Sequence, residues 1–148
     1  MKNQDYGFLI QVLARNINQY FTKIGLELEL SGMEIVILNF FFDNYKNTVY
    51  QTDLEQEFNI RSSTATANIK LLVKKGLLEQ TADPDDKRRK QLKLTTQSQK
   101  LKTQIGRSKH ELEKILVTGM GQQQKELFLM SLKMAIKNLH DINDEGRI

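Results

Sequence analysis

Residues 62–96 read SSTATANIKLLVKKGLLEQTADPDDKRRKQLKLTT. Two periodicities meet in this stretch. Up to Lys75 the apolar side chains Ala65, Ile69, Leu72 and Val73 recur at helical spacing on one side, while Ser63, Thr64, Thr66, Asn68 and Lys70 fall elsewhere. A capped helix start is expected at Ser62. A stop is expected at Gly76, which suits the left-handed position after a helix C-terminus. Beyond it the period drops to two. Leu77 to Thr81 reads as a strand, Asp83-Pro84-Asp85-Asp86-Lys87-Arg88 as a turn, and Lys90 to Thr95 as the returning strand of a charged β-hairpin.

Upstream, Thr52-Asp53-Leu54-Glu55 has the form of a capping box, in which a hydroxyl satisfies one free amide and an acidic side chain reaches back to another. A short helix is expected from Thr52 to about Phe58, and Asn59-Ile60-Arg61 then turns the chain into the helix at Ser62. Ser31-Gly32-Met33-Glu34 repeats the box ahead of an apolar run from Ile35 to Phe42, so a buried helix starts there and ends in the polar segment Asp43-Asn44-Tyr45-Lys46-Asn47. Still earlier, Phe8, Leu9, Val12, Leu13, Ile17, Tyr20, Phe21, Ile24 and Leu28 mark one face of a long helix over about residues 5–27. Downstream, Thr96-Gln97-Ser98-Gln99 opens a long helix running to about Met120, Gly119-Met120-Gly121 breaks it, and a last apolar-faced helix runs from Gln122 to about Ile142. The fold class is mainly α, with a helix-turn-helix followed by a β-hairpin at its centre.

Charge is unevenly distributed. The whole chain carries 22 Lys and Arg against 18 acidic residues, net +4. Residues 61–102 hold eleven bases and four acids, hence +7, so the remainder is −3. Any one of these lysines reads most simply as part of a solvated helix face. The concentration of the entire positive excess in one segment points instead to a phosphate backbone.

Other chemistries lack their residues. With no cysteine there are no disulfides, thiolate metal sites or thiol sensing, which fits a cytoplasmic chain. No apolar run reaches the roughly 18 residues that span a bilayer, and Met1 to Tyr6 does not resemble a signal peptide, so neither a membrane partner nor secretion is expected. The two histidines, His110 and His140, lie thirty positions apart, and His110-Glu111 has no second histidine one turn away to complete a metal site. There is no glycine-rich phosphate loop, and Asp85 and Asp86 sit in a turn among bases, where a structural role outweighs acid–base work. The expected protein is a binder without metal or cofactor rather than an enzyme.

The wording of the central segment is more specific than its periodicity. Ser63-Thr64-Ala65-Thr66, Leu72-Val73-Lys74-Lys75-Gly76-Leu77-Leu78, Asp83-Pro84-Asp85-Asp86-Lys87-Arg88 and Leu92-Lys93-Leu94-Thr95-Thr96 together resemble the MarR (multiple antibiotic resistance regulator) family of bacterial transcription factors, over about residues 31–100. The resemblance implies a winged helix-turn-helix, a three-helix core plus a β-hairpin wing, with N- and C-terminal dimerisation helices. Residues 1–30 and 121–148 would form the dimer, 31–100 the DNA-binding lobe, and 96–120 the helix between them. It implies double-stranded DNA as partner and a homodimer, usually repressing, on a pseudo-palindromic operator. Ser62, Ser63, Thr64 and Thr66 would bring small hydroxyls and free amides into the major groove, with Asn68 and Lys70 one turn on. Gln51 and Thr52 would open the helix that crosses the DNA backbone. In the wing, Arg88 would enter the minor groove, Asp86 would hold it by a charge-assisted contact, and Lys87, Arg89 and Lys90 would meet phosphates.

The chain also departs from the family pattern. Ala67 replaces a common base, Arg61 stands where a small capping residue is usual, Gln80 replaces an arginine that often begins the wing, and Gln97-Ser98 follow the final threonines in place of a glycine. A small apolar or aromatic effector would fit best among Tyr20, Phe21, Met33, Phe41 and Phe42, whose competing reading is plain core. Two rival functions stay open at this stage: a winged-helix module whose basic wing binds an acidic protein, and an architectural protein coating DNA without sequence preference.

Overall fold

The structure, a computed structural model, describes residues 5–144. Helix α1 spans Tyr6–Leu28 and ends where Glu29 turns left-handed, at φ 55°. There the Leu30 amide donates to the Gly25 carbonyl at 2.9 Å. A Cβ on Gly25 would lie 2.0 Å from the Leu30 oxygen, so the chain can fold back this tightly only over glycine. Helix α2, Gly32–Asp43, begins with the expected box: Ser31 Oγ accepts the Glu34 amide at 3.1 Å, and Glu34 Oε2 accepts the Ser31 amide at 2.7 Å.

Three short-range expectations are corrected downstream. A two-residue strand, β1 (Val49–Tyr50), precedes the next helix, and α3 covers Gln51–Phe58. Its N-cap is Tyr50 rather than Thr52, because the strand holds Tyr50 extended and Asp53 Oδ2 accepts the Tyr50 amide at 2.7 Å. Helix α4, Ser62–Lys74, is capped by the extended Arg61, which makes no side-chain cap, so Ser62 is the first helical residue instead of the cap. Strands β2 (Leu78–Ala82) and β3 (Lys90–Leu94) form the hairpin, with Gly76 left-handed at φ 70° just before it. The sheet order is β1-β3-β2, antiparallel throughout, with Val49 opposite Leu92, Leu78 opposite Leu94 and Ala82 opposite Lys90.

The third correction concerns the long helix from Thr96 to Met120. It is two helices, α5 (Thr96–Gln99) and α6 (Lys102–Leu116). Thr95 caps α5 by accepting the Ser98 amide at 3.2 Å, and the chain then turns through Lys100 and Leu101, whose amides bond to the carbonyls of Gln97 and Ser98, three residues back. Helix α7 spans Gln122–Asp144.

The chain divides into two compact units between Leu112 and Glu113. In the first, α1 packs on α2, and a core of Ile35, Ile37, Leu38, Leu54, Ala65, Ile69, Leu72, Leu78, Leu92 and Ile105 joins the helices to the sheet. Each of the leucines and isoleucines contributes about 1.5–3 kcal/mol on burial, which is what seats α4 and the hairpin on one lobe. Ile69 and Leu72, four and seven positions after Ala65, carry the buried face of α4 and so turn Ser63 and Thr64 outward. In the second unit, α7 leaves Leu127, Leu129, Met130, Met134, Ile136 and Leu139 exposed.

One buried charge crosses the lobe. Glu34 is 1% exposed, and its Oε2 also accepts the Lys75 ammonium at 2.7 Å, while Lys75 donates to the Glu29 carbonyl at 2.8 Å. The C-terminal end of α4 is thereby tied to the corner between α1 and α2.

Candidate nucleic-acid interface

The start of α4 is open. Thr64 and Ala65 donate their amides to the Arg61 carbonyl, each at 3.0 Å, and Arg61 offers no side chain to the amides before them. Gln51 at the head of α3 reaches across to this turn, its Nε2 lying 3.1 Å from Ser62 Oγ, 3.0 Å from Thr66 Oγ1 and 2.9 Å from Glu55 Oε1. An amide has two hydrogens for these three acceptors, so Gln51 acts as a strut between the two helices. Ser63, Thr64 and Lys70 are exposed. Asn68 folds back on its own helix, donating to the Thr64 carbonyl at 2.9 Å, which shortens its outward reach.

The wing is organised by Asp83, a residue that the sequence reading placed only in a turn. Asp83 is 6% exposed. Its Oδ1 accepts the amides of Asp85 at 2.8 Å and Asp86 at 3.1 Å, and its Oδ2 accepts the Tyr50 hydroxyl and the Gln91 amide group, the latter at 3.4 Å. The hydrogen bond from Tyr50, followed by that from the Asp85 amide, holds the Asp83 carboxyl down at about 2. The same bond, with burial, pushes the Tyr50 hydroxyl up. The Arg89 guanidinium lies over the Tyr50 ring, 3.7 Å from its centre, close enough for a cation–π contact.

The expected Asp86–Arg88 contact is of a different kind. Asp86 Oδ1 accepts the backbone amide of Arg88 at 3.0 Å. A short aspartate two positions before an arginine meets its amide more readily than its guanidinium, so Asp86 shapes the turn and leaves the Arg88 charge outward.

These pieces enclose a groove of about 500 Å³. Gln51 and Thr52 from α3, Ser62, Thr66 and Lys70 from α4, and Arg88, Arg89 and Lys90 from the wing all line it, joined by Tyr50, Glu55, Gln80 and Leu92. Ser63, Thr64, Asn68, Asp86 and Lys87 lie outside that lining. The arrangement can receive an anionic surface, since hydroxyls and open amides from α4 share the groove with the Lys70 and Lys90 ammonium and the Arg88 and Arg89 guanidinium groups.

Tyr50 and Asp83 were missed by the sequence reading because their partners lie 33 positions apart and only the sheet brings them together. Of the five aromatic and methionine positions named for an effector, Phe21, Phe41 and Phe42 are buried, while Tyr20 and Met33 are half-buried. Tyr20 donates its hydroxyl to the Ser108 carbonyl at 3.0 Å, and burial followed by the charge of Glu111 pushes its ionisation up. No group of three or more His, Cys, Asp or Glu among the described residues is placed to hold a metal ion, and no helix among them is long and apolar enough to cross a membrane.

Three helices, a three-stranded sheet and a basic hairpin beside the second helix of a helix-turn-helix define a winged-helix protein. Residues 29–89 match the model of the MarR family. Among solved structures it is similar to the transcription regulator MarR from Oenococcus oeni PSU-1, at 29% identity and a TM-score of 0.80 over 90% of this chain and 99% of that one. It is similar also to a MarR family transcriptional regulator from Listeria monocytogenes complexed with 26mer DNA, at 24% identity and a TM-score of 0.86 over 94% and 91% of the two chains. The S. aureus MepR–DNA complex shares the fold at 19% identity, with a TM-score of 0.86 over 94% of this chain and 99% of that one. No curated protein matches the chain by sequence.

Proposed function

We propose that the chain is a cytoplasmic, homodimeric, sequence-specific DNA-binding regulator that represses by occupying a pseudo-palindromic operator. The observation that carries this reading is the groove that α3, α4 and the wing share, lined by Arg88, Arg89 and Lys90 together with Ser62, Thr66 and Lys70. The relatives from L. monocytogenes and S. aureus that share this fold were solved with DNA, which supports the same partner here. Helix α4 supplies the recognition surface for the major groove, and the wing supplies bases for the adjacent minor groove and its phosphates.

A dimer follows from the exposed apolar residues. Leu127, Met130, Met134 and Leu139 on α7, with Tyr6, Leu9 and Ile10 on α1, leave more apolar surface than an isolated chain keeps in water. A small apolar effector, taken up among Tyr20, Phe21, Met33, Phe41 and Phe42, would relieve repression by changing the spacing of the two recognition helices.

Footprinting on inverted repeats beside the protein's own coding region tests the reading. Protection of two half-sites about one helical turn apart is expected, with affinity falling steeply between ~50 and ~200 mM salt. Uniform protection would indicate a coating protein, and no protection a protein-binding module. Sedimentation should give twice the 17.2 kDa chain mass, and a monomer that still binds DNA would remove the dimer from the proposal.

A further inference from the structure

We propose that Tyr50 is a positioning residue that fixes the wing beside α4, using its backbone, ring and hydroxyl for three different connections to the groove. This deepens the DNA-binding reading and rests on it for one of the two measurements below.

The argument begins with the backbone. Tyr50 ends β1 and caps α3, so its amide is fixed by Asp53 Oδ2 at 2.7 Å while its neighbour across the sheet is Gln91 of β3. It belongs to the helix-turn-helix and to the sheet at once. Its hydroxyl donates to Asp83, the acceptor that also gathers the amides of Asp85 and Asp86 at the mouth of the hairpin. Its ring lies under the Arg89 guanidinium at 3.7 Å. The Asp83 amide in turn donates to the Arg89 carbonyl at 3.0 Å, which closes the loop on which Arg88 sits.

A two-stranded hairpin that projects from a lobe is held mainly at its base, and beyond the Ala82–Lys90 pair the backbone bond from Asp83 to Arg89 closes its tip. Without the Tyr50 hydroxyl, Asp83 keeps its backbone donors but loses its link to the helix-turn-helix. The turn at the tip then opens more often, and the hairpin's angle to α4 is set less tightly. Since Arg88 and Ser62 line one groove, that angle helps to set how the two are spaced.

Trypsin cuts after lysine and arginine, so Lys87 to Lys90 make the wing its own reporter in the full-length, DNA-free protein. Tyr50→Phe, which removes one oxygen, is expected to raise cutting within residues 87–90 by about tenfold, the loss of one charge-assisted hydrogen bond, and to leave cutting elsewhere unchanged. Asp83→Asn should give the same local pattern. Unchanged cutting in both variants would overturn the proposal, and so would acceleration spread along the whole chain. On a duplex that the wild type binds, Tyr50→Phe should weaken affinity by no more than Arg88→Ala does, and the double variant should bind like Arg88→Ala alone. Additive losses would overturn the positioning role. A wild type that binds no duplex would overturn the DNA-binding reading instead, leaving the cutting rates to decide on Tyr50.

Discussion

Helices α2 and α4 start in opposite ways. At α2, Ser31 and Glu34 satisfy each other's amides, and the glutamate is buried against Lys75. At α4, Arg61 offers no cap, and the hydroxyls of the first turn face solvent or the Gln51 strut. The difference is one of purpose in physical terms. A helix start that closes on itself can be buried in a core, whereas one that leaves its amides and partial positive charge free is useful only if something anionic arrives from outside. The closed start anchors the lobe, and the open start is the one that the proposed function offers to DNA.

That contrast can be broken at several points. The largest effect is expected at the closed start, where Glu34→Ala removes the reciprocal cap and a buried charge partner together. Urea unfolding should show a loss of about 3 kcal/mol, and a loss under about 1 kcal/mol would mean the box is incidental. On the open side, Arg88→Ala should leave the unfolding midpoint unmoved and cost about 1–3 kcal/mol of DNA affinity in a titration, with a shallower salt slope. Closing the open start is the direct exchange. Arg61→Ser should add about 1 kcal/mol of stability as a cap while weakening DNA binding, since the new hydroxyl occupies the amides and a charge is lost. Tighter binding would show that those amides take no part.

The smallest effect is confined to the wing and follows from acid. A carboxyl whose folded pKa lies below its unfolded value adds stability above the unfolded value and loses it as pH falls through the folded one. Asp83 goes from 3.8 to about 2, so the wing should keep its place through neutral pH and loosen from about pH 4 down to about 2. The ring resonances of Tyr50 should move over that window and stay constant above it.

Much of this architecture was legible in the residues. Ser31-x-x-Glu34 named the closed start, Gly76 the end of α4, and the alternation around Leu92 and Leu94 the returning strand, because each is a local signal with its partners three or fewer positions away. Thr52-x-x-Glu55 matched the same template and misled, since β1 had already fixed Tyr50 as the cap and Asp53, not Glu55, lay within reach of the free amide. Two residues of β1 carry no periodicity of their own, and their pairing with β3 is a tertiary fact. The break at Lys100 and Leu101 is hidden for a related reason: both residues favour helix, and only the packing of Ser98 and Ile105, both fully buried, separates α5 from α6. In the groove, the charges were visible as composition, but the placing of Arg89 on Tyr50 and of Asp86 on an amide depended on the turn that Asp83 builds.

The tie between Lys75, Glu34 and the Glu29 carbonyl has a mechanical consequence. Helix α4 is tied at its far end to the α1–α2 corner and braced near its start by the Gln51 strut and the buried Ala65, so a turn about that corner as pivot would carry the α4 start, with α3, as one arm. Its 13 residues make an arm of about 20 Å. A rotation of about 10° at the pivot therefore carries Ser62 through roughly 3.5 Å, which is close to the ~3.4 Å step from one base pair to the next. A small turn at Glu34 would thus be multiplied, at the other end of the same helix, into a shift that in the proposed DNA complex equals one whole letter of the duplex.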